Sequence, residues 1–158
     1  MKTDPRARYQ GYTFFFKEGF CWNNVLNPQA RLLKAKMKSA SVNDVGSMSL
    51  CSIITQLPNY YFVSILNSDL LFNYYRTFIN CSVNIQINDI RLLPVVVPSK
   101  EFLECLKPLF QEAVKIKSEE SKAATHGEQK SSRLEVIESS INDIVNMLYG
   151  LTNIEVIN

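Results

Sequence analysis

The hydrophobic and polar positions in the second half of the chain predict two long helices. Between residues 102 and 116, apolar side chains recur every three or four positions and so share one helix face. Ser99 precedes this stretch as a cap, and Glu101 favours its first turn. Four residues form a second apolar face near the C-terminus: Ile141, Ile144, Val145 and Leu148. This second helix is expected to begin near Ser132 and to end at Gly150 in a left-handed cap.

The middle of the chain combines helical spacing with alternation. Residues 59–78 have apolar positions at helical spacing, and an Asn-Ser-Asp break at residues 67–69 caps the second of two helices. Residues 81–88 alternate strictly between apolar and polar side chains, which predicts a strand with one buried face. Prolines bound residues 94–98, so this run predicts an edge strand or a buried extended segment.

The first half of the chain predicts further strands. Residues 12–16 and 20–22 are rich in aromatic side chains and flank a Lys-Glu-Gly turn, a pattern typical of strand–turn–strand. Residues 48–54 predict a strand that follows a turn at residues 44–46. The basic residues 31–38 fit either a short helix or an irregular loop, and their pattern does not decide between the two.

The order of these elements predicts an α+β fold. A mixed β-sheet belongs to a core of residues 1–98, and a long helical tail of residues 99–158 packs on this core or on a partner. The chain has 158 residues, of which 46% are apolar and 20% charged, as in a globular domain that buries a core. It shows no stretch typical of a spanning helix and no opening signal segment, so we expect a cytoplasmic protein without membrane contact.

The residues that usually bind metals or act as nucleophiles are dispersed. The four cysteines lie far apart in sequence: Cys21, Cys51, Cys81 and Cys105. Zinc ligands usually come in closely spaced pairs, and the single histidine, His126, stands in a polar segment. We therefore expect free, buried thiols, no metal, no cofactor and no catalytic residue.

Charge is distributed unevenly along the chain, although the net charge is only +2. Residues 1–38 contain eight basic and two acidic side chains, and residues 39–100 contain three of each. Residues 101–158 contain six basic and ten acidic side chains. A basic front and an acidic helical rear are typical of a domain that presents one face to a polyanion.

A sequence motif near the C-terminus resembles one found in a known group of proteins. Residues 141–155 contain the phrase Ile-x-Asp-Ile-Val-x-x-Leu-Tyr-Gly-Leu-Thr-x-x-Glu, and residues 62–75 contain Leu-Asn-Ser followed by Tyr-Tyr. Residues 86–94 read Gln-Ile-Asn-Asp-Ile-Arg-Leu-Leu-Pro, and fainter matches involve Trp22, Arg31 and residues 43–46. In this order the phrases resemble the target recognition domain of adenine-N6 DNA methyltransferases and type IIG restriction–modification enzymes. The resemblance implies sequence-specific recognition of double-stranded DNA beside a methyltransferase domain or subunit that binds S-adenosylmethionine.

The chain departs from that group where catalysis would occur. It has neither the glycine-rich Phe-x-Gly-x-Gly loop that binds S-adenosylmethionine nor the Asn-Pro-Pro-aromatic loop that holds a flipped adenine. We therefore expect a recognition domain that is not itself an enzyme. Two alternatives remain open: half of a type I restriction specificity subunit, or a protein-interaction module that does not bind DNA.

Ten polar side chains are candidates for DNA contact, because cations neutralise phosphate and amide or guanidinium groups pair with base edges. The candidates are Asn23, Asn24, Arg31, Lys34, Lys36, Lys38, Arg76, Asn84, Gln86 and Asn88. The four cations of residues 31–38 are expected at phosphate. The amides at positions 84, 86 and 88 are expected on the exposed face of one strand.

Aromatic side chains are numerous enough to suggest stacking on bases. The residues concerned are Tyr12, Phe14, Phe16, Tyr60, Tyr61, Phe62, Tyr74 and Tyr75. Because they occur at strand or helix spacing, we expect most of them in the core. Stacking on exposed bases is typical of single-stranded recognition, which the duplex hypothesis does not require.

Overall fold

The computed structural model describes residues 12–27, 29–42, 46–51, 56–123 and 132–151. Within these ranges the strands are β1 (Gly19–Asn23), β2 (Lys36–Lys38) and β3 (Ser47–Leu50). The α-helices are α1 (Asn59–Leu66), α2 (Asp69–Tyr74), α3 (Ile87–Arg91), α4 (Lys100–Ala123) and α5 (Ser132–Leu148). A 3₁₀ turn (Tyr12–Phe14) precedes β1, and a π-helical turn (Tyr75–Ile79) continues α2.

The three strands form an antiparallel sheet in the order β2-β1-β3. Along β1, Phe20 and Trp22 point into the core, while Cys21 and Asn23 point to the opposite, outer face. Residues directly paired across strands share a face. The outer face therefore also carries these side chains of β2 and β3: Lys36, Lys38, Ser47 and Ser49. The outer face is thus polar and bears cations.

β1 and β3 approach each other closely at Gly19. A Cβ at this position would overlap the carbonyl oxygen of Leu50. Glycine permits this contact between two backbones, which any other residue would push apart.

The helices cover the inner face of the sheet and share one core with it. Fully buried side chains come from β1, α1, the π-helical turn, α4 and α5: Trp22, Tyr61, Tyr75, Leu106 and Val145. The ring of Phe20 stacks on that of Phe62 in α1, with centroids 5.1 Å apart. A smaller cluster of Ala113, Leu134 and Ile137 holds α4 against α5. The helical tail is therefore packed on α1 and α2, and α1 in turn contacts β1 and β2.

The structure confirms the α+β class and the long helical C-terminal part. The predicted caps are also present. Ser99 accepts a hydrogen bond from the Phe102 N–H (3.1 Å), and Ser68 accepts one from the Leu71 N–H (3.2 Å). Gly150 has a φ of 73°, as a left-handed cap requires.

The predicted strand at residues 12–16 is wrong. The Phe15 N–H donates to the carbonyl of Tyr12 (3.2 Å), which closes a 3₁₀ turn. Phe14 and Phe16 are exposed there, whereas Tyr61 and Tyr75 are buried in the core and Tyr60 and Phe62 pack against it.

The predicted strand at residues 81–88 is wrong as well. Its pairing is limited to one bridge between Val25 and Asn84, after which the chain enters α3. The Asn80 side chain accepts the Ser82 N–H (2.8 Å) and donates to the carbonyl of Asn84 (3.0 Å). These local bonds use backbone groups that a strand ladder would need.

Other expectations differ in detail. Residues 31–38 form neither a helix nor a purely irregular loop, because β2 occupies their last three positions. The strands described pair antiparallel, where a mixed sheet was expected. Residues 94–98 have no strand partner among the described residues, and Val97 is 80% exposed. Only Cys21 is a fully buried thiol; Cys81 and Cys105 are exposed.

Several predicted features lie outside the described residues: the first two positions of the turn at residues 44–46, the end of the strand predicted for residues 48–54, His126 and residues 152–158. No helix in the described part of the chain is both long and apolar enough to cross a membrane.

Candidate nucleic-acid interface

A shallow concavity of about 440 Å³ lies at one end of the sheet and collects three of the predicted contact residues. β1 ends there with Asn23, β2 begins there with Lys36, and Asn24 follows β1. Ser47 lies beside them, because its backbone pairs with that of Asn23. We call this feature the Asn23 concavity; Val25 and Gly46 complete its lining.

A fourth predicted residue, Asn84, is brought beside this concavity by backbone hydrogen bonds. The Leu26 N–H donates to the carbonyl of Val83 (2.7 Å), and the Ile85 N–H donates to that of Asn24 (2.9 Å). These bonds pair the segment after β1 with the segment before α3. Asn84 is exposed there, opposite Val25 in the bridge.

The loop that carries Asn84 is fixed by the carboxylate of Asp89. Asp89 Oδ2 accepts hydrogen bonds from Asn80 Nδ2 (2.8 Å), the Gln86 N–H (3.0 Å) and the Tyr75 hydroxyl (3.4 Å). Burial favours the neutral carboxyl, but these bonds outweigh it and lower the pKa of Asp89. Burial, together with Asp89, raises the pKa of Tyr75 to about 12. At neutral pH the phenol therefore stays a donor and the carboxylate an acceptor.

Three of the predicted cations, Arg31, Lys34 and Arg76, occupy two other regions. Arg31 and Lys34 are exposed in the segment before β2, and Lys34 has a left-handed φ of 52°. Arg76 donates from Nη1 to the carbonyl of Ser82 (2.6 Å), which directs it toward the Asn84 loop. Arg31 and Lys34 therefore precede Lys36 of the concavity in sequence, and Arg76 contacts the loop that carries Asn84.

Gln86 and Asn88 do not share a strand face with Asn84. Gln86 precedes α3 as its cap, and its side chain accepts the N–H of Asp89. Asn88 Oδ1 accepts a hydrogen bond from Arg91 Nη1 (3.2 Å) within the same helix. Their side chains serve α3, so the predicted stripe of three amides is not formed.

Lys38 differs from Lys36 although both belong to β2. Lys38 is only 6% exposed, and its ammonium donates to three carbonyls, those of Lys17 (2.8 Å), Ser39 (3.2 Å) and Ser41 (2.6 Å). An ammonium has three protons to donate. Contact of Lys38 with phosphate does not fit this geometry, and Lys36 is the exposed cation of β2.

Replacing Lys38 with methionine is expected to lower the free energy of unfolding by roughly 1–3 kcal/mol, because three carbonyls lose a charged donor. The matched Lys36→Met change should alter it by less than about 0.5 kcal/mol, since that side chain is exposed. Urea denaturation followed by circular dichroism measures both. Equal stability of the two variants would contradict the structural role of Lys38.

Ser47 is a polar residue of this lining that was not among the ten candidates. The pairing Asn23↔Ser47 places it in the concavity, and the local sequence does not predict a contact between residues so far apart.

The described lining combines amide groups, a hydroxyl and a cation. Amides both donate and accept, as base edges require, and an ammonium neutralises phosphate. Comparison of the chain with models of protein families and with curated proteins finds no match.

Proposed function

We propose that this chain recognises a sequence in double-stranded DNA for an adenine-specific restriction–modification methyltransferase and lacks the catalytic domain itself. The observation that carries the proposal is the convergence of Asn23, Asn24 and Asn84 with the exposed Lys36 at one end of the sheet. The residues come from three separate segments. The resemblance of the sequence to target recognition domains supports the same function.

In this proposal the residues divide the work. Lys36, together with Arg31 and Lys34, contacts phosphate, while Asn23 and Asn84 pair with base edges in the major groove. An asparagine amide pairs with adenine through two hydrogen bonds. Asn23 and Lys36 line one concavity and Asn84 lies beside it, so both kinds of contact can form at once.

The helical tail is the proposed surface for the methyltransferase, whose catalytic domain or subunit binds S-adenosylmethionine. Residues 101–158 carry ten acidic and six basic side chains, so phosphate would repel them. Ion pairs between α4 and α5, Lys117 with Glu138 and Arg133 with Glu112, keep the two helices together. A cytoplasmic location goes with this function.

Binding of the full chain to a random duplex is expected to weaken steeply when salt rises from about 50 to about 200 mM. Lys36→Gln should reduce the slope of log affinity against log salt by about one unit, because one phosphate contact is lost. Lys107→Gln provides the matched control, since Lys107 is an exposed lysine of α4. Fluorescence anisotropy with labelled duplex measures both slopes.

Two results would count against DNA recognition. One is absence of duplex binding at about 50 mM salt, which would favour a protein-interaction module. The other is an equal effect of Lys36→Gln and Lys107→Gln, which would move the phosphate contacts away from the Asn23 concavity.

A second candidate is half of a type I restriction specificity subunit. The observation that favours it is the proline-bounded segment at residues 94–98, which leads directly into the 24 residues of α4. Gene context separates the two candidates: a preceding reading frame with methyl-transfer motifs favours the first.

A further inference from the structure

A second surface, distinct from the Asn23 concavity, consists of residues 12–17, which we call the aromatic turn. Phe14 is 46% exposed and Phe16 69% exposed, while Phe15 between them is half-buried. Two phenyl rings that stay in water two positions apart leave considerable apolar area uncovered. Exposed apolar area of this kind marks a binding surface.

The backbone of the aromatic turn is held in place by the segment that follows β2. Phe16 has a left-handed φ of 58°, and its N–H donates to the carbonyl of Ser41 (3.2 Å). The Lys38 ammonium joins the same two segments, because it binds the carbonyls of Lys17 and Ser41. A left-handed conformation is costly for phenylalanine and persists only where surrounding contacts impose it. The backbone that carries the two rings is therefore held in place by these contacts.

Cations accompany the exposed rings. Lys17 Nζ lies 5.5 Å from the centroid of the Phe14 ring. Lys17, which Glu18 follows directly, is one of the eight basic side chains, against two acidic ones, in residues 1–38. This charge is complementary to a polyanion, and it disfavours a basic protein as the occupant.

We infer that the aromatic turn binds unpaired nucleotides of a nucleic-acid strand. Bases stack on Phe14 and Phe16, and Lys17 neutralises an adjacent phosphate. Aromatic platforms flanked by cations bind single strands in this way, because every base presents a flat face. A paired base inside a duplex offers no such face.

The aromatic turn and the Asn23 concavity lie at opposite ends of β1. The strand has five residues, so about 13 Å separate its ends at roughly 3.3 Å per residue. The single-strand site therefore does not depend on the proposed recognition of duplex DNA. A strand that leaves a duplex near the concavity could reach it within a few nucleotides.

The test measures anisotropy of labelled oligothymidylate and oligouridylate of about 12 nucleotides, alongside a blunt duplex of random sequence. Phe14→Ala and Phe16→Ala are each expected to weaken single-strand binding about 5- to 150-fold. Duplex binding should not change. Phe78→Ala is the matched control, because Phe78 is a 72% exposed phenylalanine on the π-helical turn. Urea denaturation checks that each variant remains folded.

Binding of either oligonucleotide with this dependence on the rings supports the inference, even if the duplex fails to bind. Absence of single-strand binding overturns it, and so does equal binding by the wild-type chain and a Phe14→Ala, Phe16→Ala double variant. Self-association of the wild-type chain that the double variant loses, with single-strand binding unchanged, would instead identify a protein-docking surface. Sedimentation velocity detects that outcome.

Discussion

Replacing Leu106 with alanine is expected to lower the free energy of unfolding by about 2–5 kcal/mol, the largest loss among the substitutions considered. Leu106 is fully buried in α4 and belongs to the same core cluster as Trp22 and Tyr61. The substitution removes three carbon atoms from this core and leaves a cavity. Because the helical tail shares that core with the sheet, we expect one cooperative transition in urea for both the wild-type chain and the variant.

The matched control is Leu92→Ala, since Leu92 is 67% exposed. The same change of side chain should there cost less than about 0.5 kcal/mol. Circular dichroism and Trp22 fluorescence should report the same midpoint for each protein. Separate transitions for the two probes would show that the tail unfolds independently of the sheet.

The helices α1, α2, α4 and α5 were predictable because their signals are local, whereas α3 was not predicted. Apolar spacing identifies the buried faces of α4 and α5, and both faces pack largely as predicted, with the exception of Val114, which is 47% exposed. The caps at Ser68 and Ser99 depend on a residue within three positions of its partner.

The strands were harder to predict because pairing depends on distant residues. Residues 81–88 alternate as a strand does, but side chains of Asn80 and Gln86 bind the backbone locally and α3 begins instead. Conversely, β2 has only three residues and no alternation long enough to detect. Its strand character arises from pairing with β1 across a loop.

Residue chemistry identified part of the candidate site. The rule that amides and cations contact DNA selected Asn23, Asn24, Lys36 and Asn84, which the fold then brings together. The same rule selected Lys38, whose position two residues after Lys36 gives it the same outward direction. Only the fold of two other segments, which place three carbonyls around its ammonium, removes Lys38 from solvent.

Replacing a single asparagine of the site should weaken binding to the cognate sequence without weakening binding to other sequences. Asn23→Ala and Asn84→Ala are each expected to cost about 1–3 kcal/mol on the cognate duplex, a loss of roughly 5- to 150-fold. Affinity for unrelated duplexes should hardly change, because phosphate contacts supply the free energy of non-specific binding. Selection from a random duplex library identifies the cognate sequence, and anisotropy at fixed salt compares the variants on it.

Asn88→Ala provides the matched control for this prediction. Asn88 Oδ1 accepts a hydrogen bond from Arg91 Nη1 on α3. The sequence alternates between Asn84 and Asn88 as a strand would, but Asn88 lies in a helix and therefore does not share a face with Asn84. The variant should therefore retain both affinity and specificity. If Asn88→Ala costs as much as Asn84→Ala on the cognate duplex, the DNA surface extends over α3. If all three variants retain full specificity, the Asn23 concavity does not contact base edges. The exposed segment around Arg31 and Lys34 is then the better candidate for DNA contact, because its cations adjoin β2.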